Sequence, residues 1–116
     1  MDLGANSYRR FLDGDETGIV EIIRDYKDGL TLYLYSLTQD LSLAEELMEE
    51  TFVRLVVKKP RFTAEHAFKT WLYTIGRNAA IDEFRRSRRR ADVSITDLRR
   101  LAQDEADVER EREDAQ

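Results

Sequence analysis

Between residues 16 and 38 the apolar side chains Ile19, Ile23, Tyr26, Leu30, Tyr33 and Leu37 recur at steps of three and four, a period that suits one stripe along an α-helix and not the alternation of a strand. The same spacing returns at Ala44, Met48, Phe52 and Leu55, and again at Phe68, Leu72, Ile75 and Ala79. Helices with one apolar stripe and short connections bury those stripes against one another. The expected fold class is therefore all-α: a compact bundle of three main helices, with a short N-terminal helix over residues 8–12. Gly29 lies inside the first stripe and should cost about 1 kcal/mol relative to alanine. Gly76 lies inside the third, where it either permits close helix approach or is merely tolerated.

The element boundaries carry their own signals. Ser42 followed by Glu45 reads as a capping box that opens the second helix, and Lys58, Lys59 and Pro60 close it, because the residue before proline avoids helical geometry. The third helix is expected over residues 67–88. Beyond it, Leu98, Leu101 and Val108 are too few for a core, so residues 91–116 read as an acidic linker or frayed helix and residues 1–90 as the folded domain.

Charge is distributed unevenly along the chain. Residues 54–90 hold eleven Lys/Arg against three Asp/Glu, whereas residues 1–53 hold four against twelve and residues 91–116 four against nine. A basic segment between acidic ones attracts a polyanion to one place and discourages binding elsewhere. The basic segment also contains Phe62, Trp71 and Tyr73, and a positive surface with aromatic platforms suits single-stranded nucleic acid, where a stacked base contributes about 1–3 kcal/mol. Trp71, Asn78 and Arg85 recur at seven-residue steps and so share a face: a ring, an amide able to read a base edge and a phosphate-binding cation. The competing reading makes Trp71 mostly core, Asn78 an ordinary surface residue, and the arginines at 85, 86, 88, 89 and 90 a match to the helix dipole. With no cysteine and the single His66, neither a disulfide framework nor a thiolate or histidine metal cluster is possible, and no cofactor is expected. The N-terminal residues lack a signal-peptide core and no window reaches the ~20 apolar residues of a membrane span, so no membrane insertion and a cytoplasmic location are expected.

The run AEELMEETFVRL, followed by FKTWLYTIGRNAAIDEFRRSRR, resembles region 2 of the bacterial extracytoplasmic-function (ECF, group 4) sigma factors, and the preceding GDETGIVEIIRDYKDGLTLYLYSLTQD is similar to the first helix of that domain. The resemblance implies a non-enzymatic subunit that binds core RNA polymerase and captures the melted minus-ten promoter element to initiate transcription. It assigns the contact with the beta-prime clamp helices to Glu46, Leu47, Glu49, Glu50 and Arg54. A flipped base of the single-stranded non-template strand would enter a pocket formed by Phe62, Thr63, Ala64, Glu65 and His66 with the facing Asn78. Trp71 and Tyr73 would lie near the fork, and Arg77, Arg85 and Arg86 would hold phosphates. An anti-sigma factor is a further implied partner, and a protein-interaction module governed by one is the alternative function.

The chain departs from the family pattern in places. Glu49 stands where glutamine is usual, Val56 where tryptophan is common, and the TAEH loop at residues 63–66 lacks the usual glycine and aspartate, so base preference does not transfer. The helix-turn-helix that reads the minus-35 element has no counterpart in these 116 residues, and the expectation is a domain cut from a longer protein. Glu45, Glu46 and Glu49 also spell the EExxE of all-helical nucleotide pyrophosphatases. The second acidic element of that family is missing, since Phe68 follows Glu65 and Arg86 follows Glu83 at the third position.

Overall fold

The computed structural model describes residues 2–63 and 66–90, with the backbone alone at residues 89 and 90. Four helices follow one another, α1 (Leu3–Leu12), α2 (Thr17–Thr38), α3 (Leu41–Lys58) and α4 (Phe68–Arg90), and there is no strand among the described residues. The expected all-α bundle of three main helices and a short N-terminal one is the architecture observed. α2 is its central member and touches each of the other three. None of the helices in the described residues is long and apolar enough to cross a membrane. Residues 91–116, read from sequence as a linker or frayed helix, lie outside the described residues.

Local chemistry sets the helix ends, and it corrects two of the expected starts. α1 begins at Leu3 rather than near Tyr8, because Asp2 is extended and its Oδ1 accepts the Ala5 N–H at 3.2 Å. α3 is capped by Asp40 and not by Ser42: the extended Asp40 backbone turns its carboxylate onto the Leu43 N–H at 3.1 Å, which leaves Ser42 inside the first turn. At the other end of α3, Lys59 adopts a left-handed conformation with φ 47° and donates to the Leu55 carbonyl, directly before Pro60. The expected end of this helix at residues 58–60 is thus the observed one.

The core joins Ile22, Leu30, Leu34 and Leu37 of α2 with Ala44, Met48, Phe52 and Leu55 of α3 and Phe68, Leu72, Ala79 and Ala80 of α4. Ile19, Ile23, Tyr26 and Tyr33 of the expected α2 stripe are only partly buried. A helix covered by three others buries a wider arc than one stripe, which draws in Ile22 and Leu34. Gly76 marks the crossing of α4 over this arc: a Cβ there would lie 3.0 Å from Leu30 Cδ1 and 3.2 Å from Thr51 Oγ1, so close approach is its role. Gly29 likewise leaves room for a partner, since a Cβ would meet the Tyr73 hydroxyl at 2.6 Å.

Two residues expected at contact surfaces are interior. Leu47 is 4% exposed, on the buried side of α3 between Ala44 and Thr51. Arg77 is 2% exposed, and its guanidinium donates to Asn78 Oδ1 at 3.4 Å.

Candidate nucleic-acid and partner interfaces

The outward face of α3 follows from the face it buries. With Ala44, Leu47, Met48, Thr51, Phe52 and Leu55 inside, Glu45, Glu46, Glu49 and Glu50 stand exposed. One and two turns further on, the same face carries Val53, Val56 and Val57, the last 69% exposed. An acidic row thus runs into an apolar patch. The resemblance assigns a contact to Leu47, which is buried; the helical period that puts positions 48, 52 and 55 inside leaves 53 and 57 outside, and that is the available signal. Arg54 is a strut between helices, bonded to Glu50 Oε1 and to Asp82 Oδ2 of α4, each at 3.1 Å.

That strut sets the C-terminal half of α4 beside the acidic row. Glu46 and Glu50 share a shallow cleft with Leu43, Leu47, Glu83 and Arg86. Arg86 is exposed and bonds Glu83 Oε2 at 2.7 Å, an interaction that raises its already high pKa. Asn78 and Arg85 are exposed on the same helix, whereas Trp71 of the same seven-residue row is partly buried.

The aromatic residues of the basic segment do not form one platform. Phe62 and Trp71 meet edge to face at 5.1 Å between ring centroids, and both touch Phe68; Tyr8 of α1 lies against Trp71 at 5.2 Å and against Phe68 at 5.8 Å. Both Phe62 and Trp71 are partly buried by these contacts. Tyr73 packs elsewhere, stacked on Tyr33 of α2 at 5.0 Å with Lys69 Nζ over its ring at 5.4 Å from the centroid, and burial pushes its hydroxyl pKa up. Trp71 and Tyr73 are therefore held by different elements.

The connection from α3 to α4 leaves Thr63 exposed and Phe62 and His66 partly buried, while Ala64 and Glu65 lie outside the described residues. His66 Nδ1 is enclosed without a hydrogen-bond partner among the described residues. Two residues that sequence reasoning passed over, Asp2 and Tyr8, reach this connection from α1. Asp2 Oδ2 accepts the Phe68 N–H at 2.9 Å and the Tyr8 hydroxyl donates to the Pro60 carbonyl at 2.5 Å. No local sequence signal distinguishes such long-range bonds from an ordinary cap and an ordinary buried ring. Among the described residues no group of three or more His, Asp or Glu side chains is arranged to hold a metal ion.

Residues 22–90, which include α3, α4 and most of α2, match the family model of sigma-70 region 2. The chain belongs to this family. Its relatives make it a region 2 of the ECF type. It is 32% identical to the ECF RNA polymerase sigma factor SigW of Bacillus subtilis over 75 residues, covering 65% of this chain and 40% of SigW. To SigM of the same organism it is 35% identical over 77 residues, 66% of this chain and 46% of SigM. To the ECF sigma factor BldN of Streptomyces coelicolor it is 32% identical over 103 residues, 88% of this chain and 38% of BldN. This region 2 thus spans less than half the length of each of these curated relatives. No solved structure matches it.

Proposed function

We propose that this region 2 serves transcription initiation as part of an ECF sigma factor, docking on core RNA polymerase through the outward face of α3 and capturing unpaired bases of the minus-ten element beside α4. The observation that carries the reading is the family match across α3 and α4, together with an exposed acidic row on the outward face of α3. In this reading Glu46, Glu49 and Glu50 meet basic groups of the beta-prime clamp helices. Val53 and Val57 supply the apolar part in place of the interior Leu47, and Arg54 positions Glu50.

On the nucleic-acid side the exposed Thr63 and Asn78 would present polar groups to a flipped base, with Phe62 and His66 beside them. Arg85 and Arg86 would hold phosphates, a role that the buried Arg77 does not share. Trp71 and Tyr73 act through packing. Captured bases favour the open duplex by their differential affinity for it, so no bond chemistry is needed. Residues 1–90 would form the recognition domain and residues 91–116 the approach to a region 4. An anti-sigma factor would act by covering the α3 and α4 faces, and the setting for all of these contacts is the cytoplasm.

The test is a fluorescence-anisotropy titration at low salt against single-stranded non-template minus-ten sequences and the same sequences as duplex, with and without core polymerase. Base-dependent preference for the single strand supports the reading; equal or stronger duplex binding under both conditions overturns it. For the polymerase face, Glu50→Ala and Val57→Asp should each weaken binding to a clamp-helix fragment, and undiminished binding of both would remove α3 from the interface.

A further inference from the structure

The short helix α1 lies outside the span matched by the family model, yet it holds both ends of the connection from α3 to α4. At the first end the buried Tyr8 hydroxyl donates to the Pro60 carbonyl. At the second, the Phe68 N–H, an orphan donor of the first turn of α4, is accepted by Asp2 Oδ2 while Oδ1 of the same carboxylate caps α1 at Ala5. One carboxylate thereby caps two helices that are 66 residues apart at the bonded positions. Between these anchors Phe62 rests on Phe68 and Trp71, the two α4 rings that Tyr8 itself touches, and Lys59 Nζ lies 5.6 Å from the Phe11 ring centroid of α1.

We propose that Asp2 and Tyr8 are positioning residues for base selectivity: α1 sets the placement of Phe62 and Thr63 without touching the nucleic acid itself. This rests on the function proposed above and adds to it an element that the family match does not include. The alternative is that α1 only adds stability, and the two can be separated by choice of variant. Asp2→Asn leaves one acceptor oxygen for two N–H donors, so Ala5 and Phe68 can no longer both be accepted. Tyr8→Phe keeps the ring and loses only the bond to Pro60. Ser7→Ala is the control, since Ser7 Oγ bonds Glu21 Oε1 at 2.8 Å on the α2 side and leaves the connection alone.

The full 116-residue chain is used for two measurements. Amide hydrogen exchange at Phe68, whose N–H is the one held across this connection, should accelerate in Asp2→Asn and Tyr8→Phe by about fivefold relative to Ser7→Ala, the shift expected from losing one hydrogen bond of ordinary net strength. The ratio of affinities for the preferred single strand and its single-base variants should fall in the same two proteins, with the salt dependence unchanged. Exchange no faster than in the control, or a base preference that survives in both variants, overturns the inference and leaves the function standing. A wild-type chain with no base preference overturns the function, and the selectivity role with it.

Discussion

The two halves of α4 are built from different material. From Phe68 to Arg77 the helix is largely covered: Phe68 and Leu72 are fully buried, Trp71 and Tyr73 are occupied by other rings, and Gly76 sits at a helix crossing. From Asn78 onward the outward positions Asn78, Arg85, Arg86 and Arg88 are exposed, and the inward ones are the buried Ala79 and Ala80 with the partly buried Ile81 and Phe84. The first half does most of the packing, while the second presents charge and is tied to α3 by the Arg54–Asp82 pair. In the sequence the rings and cations look like one stacking-and-phosphate surface, whereas in the molecule the rings are the mount and the cations the exposed face. A seven-residue row joins positions of equal angle, but it says nothing of how much each is covered by its neighbours.

The division predicts unequal consequences for substitutions. Phe68→Ala, in the mount, should cost about 3–5 kcal/mol, read as a lower urea midpoint, because it empties a site where four other rings converge. Gly76→Val should cost about 1–3 kcal/mol, since its added atoms meet Leu30 and Thr51 at the crossing. A loss in either protein confined to nucleic-acid binding, with stability unchanged, would break the division.

The packing around the first half of α4 also has a pH signature. Burial pushes the Tyr8 hydroxyl up to about 12 and raises Tyr26 and Tyr73 as well. The folded chain therefore holds these protons more tightly than the unfolded chain, whose tyrosines titrate at about 10. Their contribution to stability is complete below pH 10 and is lost as pH rises from about 10 to 12. Denaturation midpoints across that range should fall in the wild type and fall less steeply in Tyr8→Phe. An identical slope in the two would mean that Tyr8 is not enclosed by the mount.

The legibility of these features in the sequence follows the range of the interactions behind them. Apolar period places α2, α3 and α4 within a few residues, because a stripe is a local property and each helix obeys it. The capping residue of α3 was misread because Asp40 and Ser42 both have the side chain for the task, and only the backbone angles at Asp40 decide. Leu47 and Arg77 were misread because motif resemblance gives identity and order, not depth: each sits on the edge of a buried arc whose width is set by how many helices cover it. The anchors at Asp2 and Tyr8 depend on carboxylate and hydroxyl groups meeting backbone more than fifty residues away, and no spacing rule encodes that.

The smallest expected effect on stability is the sharpest test of the comparison. Arg85 is exposed near the carboxyl end of α4, where a cation adds a few tenths of a kcal/mol, about 0.3–1, through the helix dipole. Arg85→Ala should therefore leave the urea midpoint nearly unchanged. If the second half of α4 presents phosphate contacts, the same substitution should weaken binding of every single-stranded sequence alike and reduce the slope of log K against log salt by about 0.7, the share of one contact on a single strand. A change in base preference instead would mean that Arg85 reads bases, and the line between reading and holding would have to be drawn C-terminal to it. An unchanged slope would mean that Arg85 holds no phosphate, and the charged half of α4 would lose the role given to it.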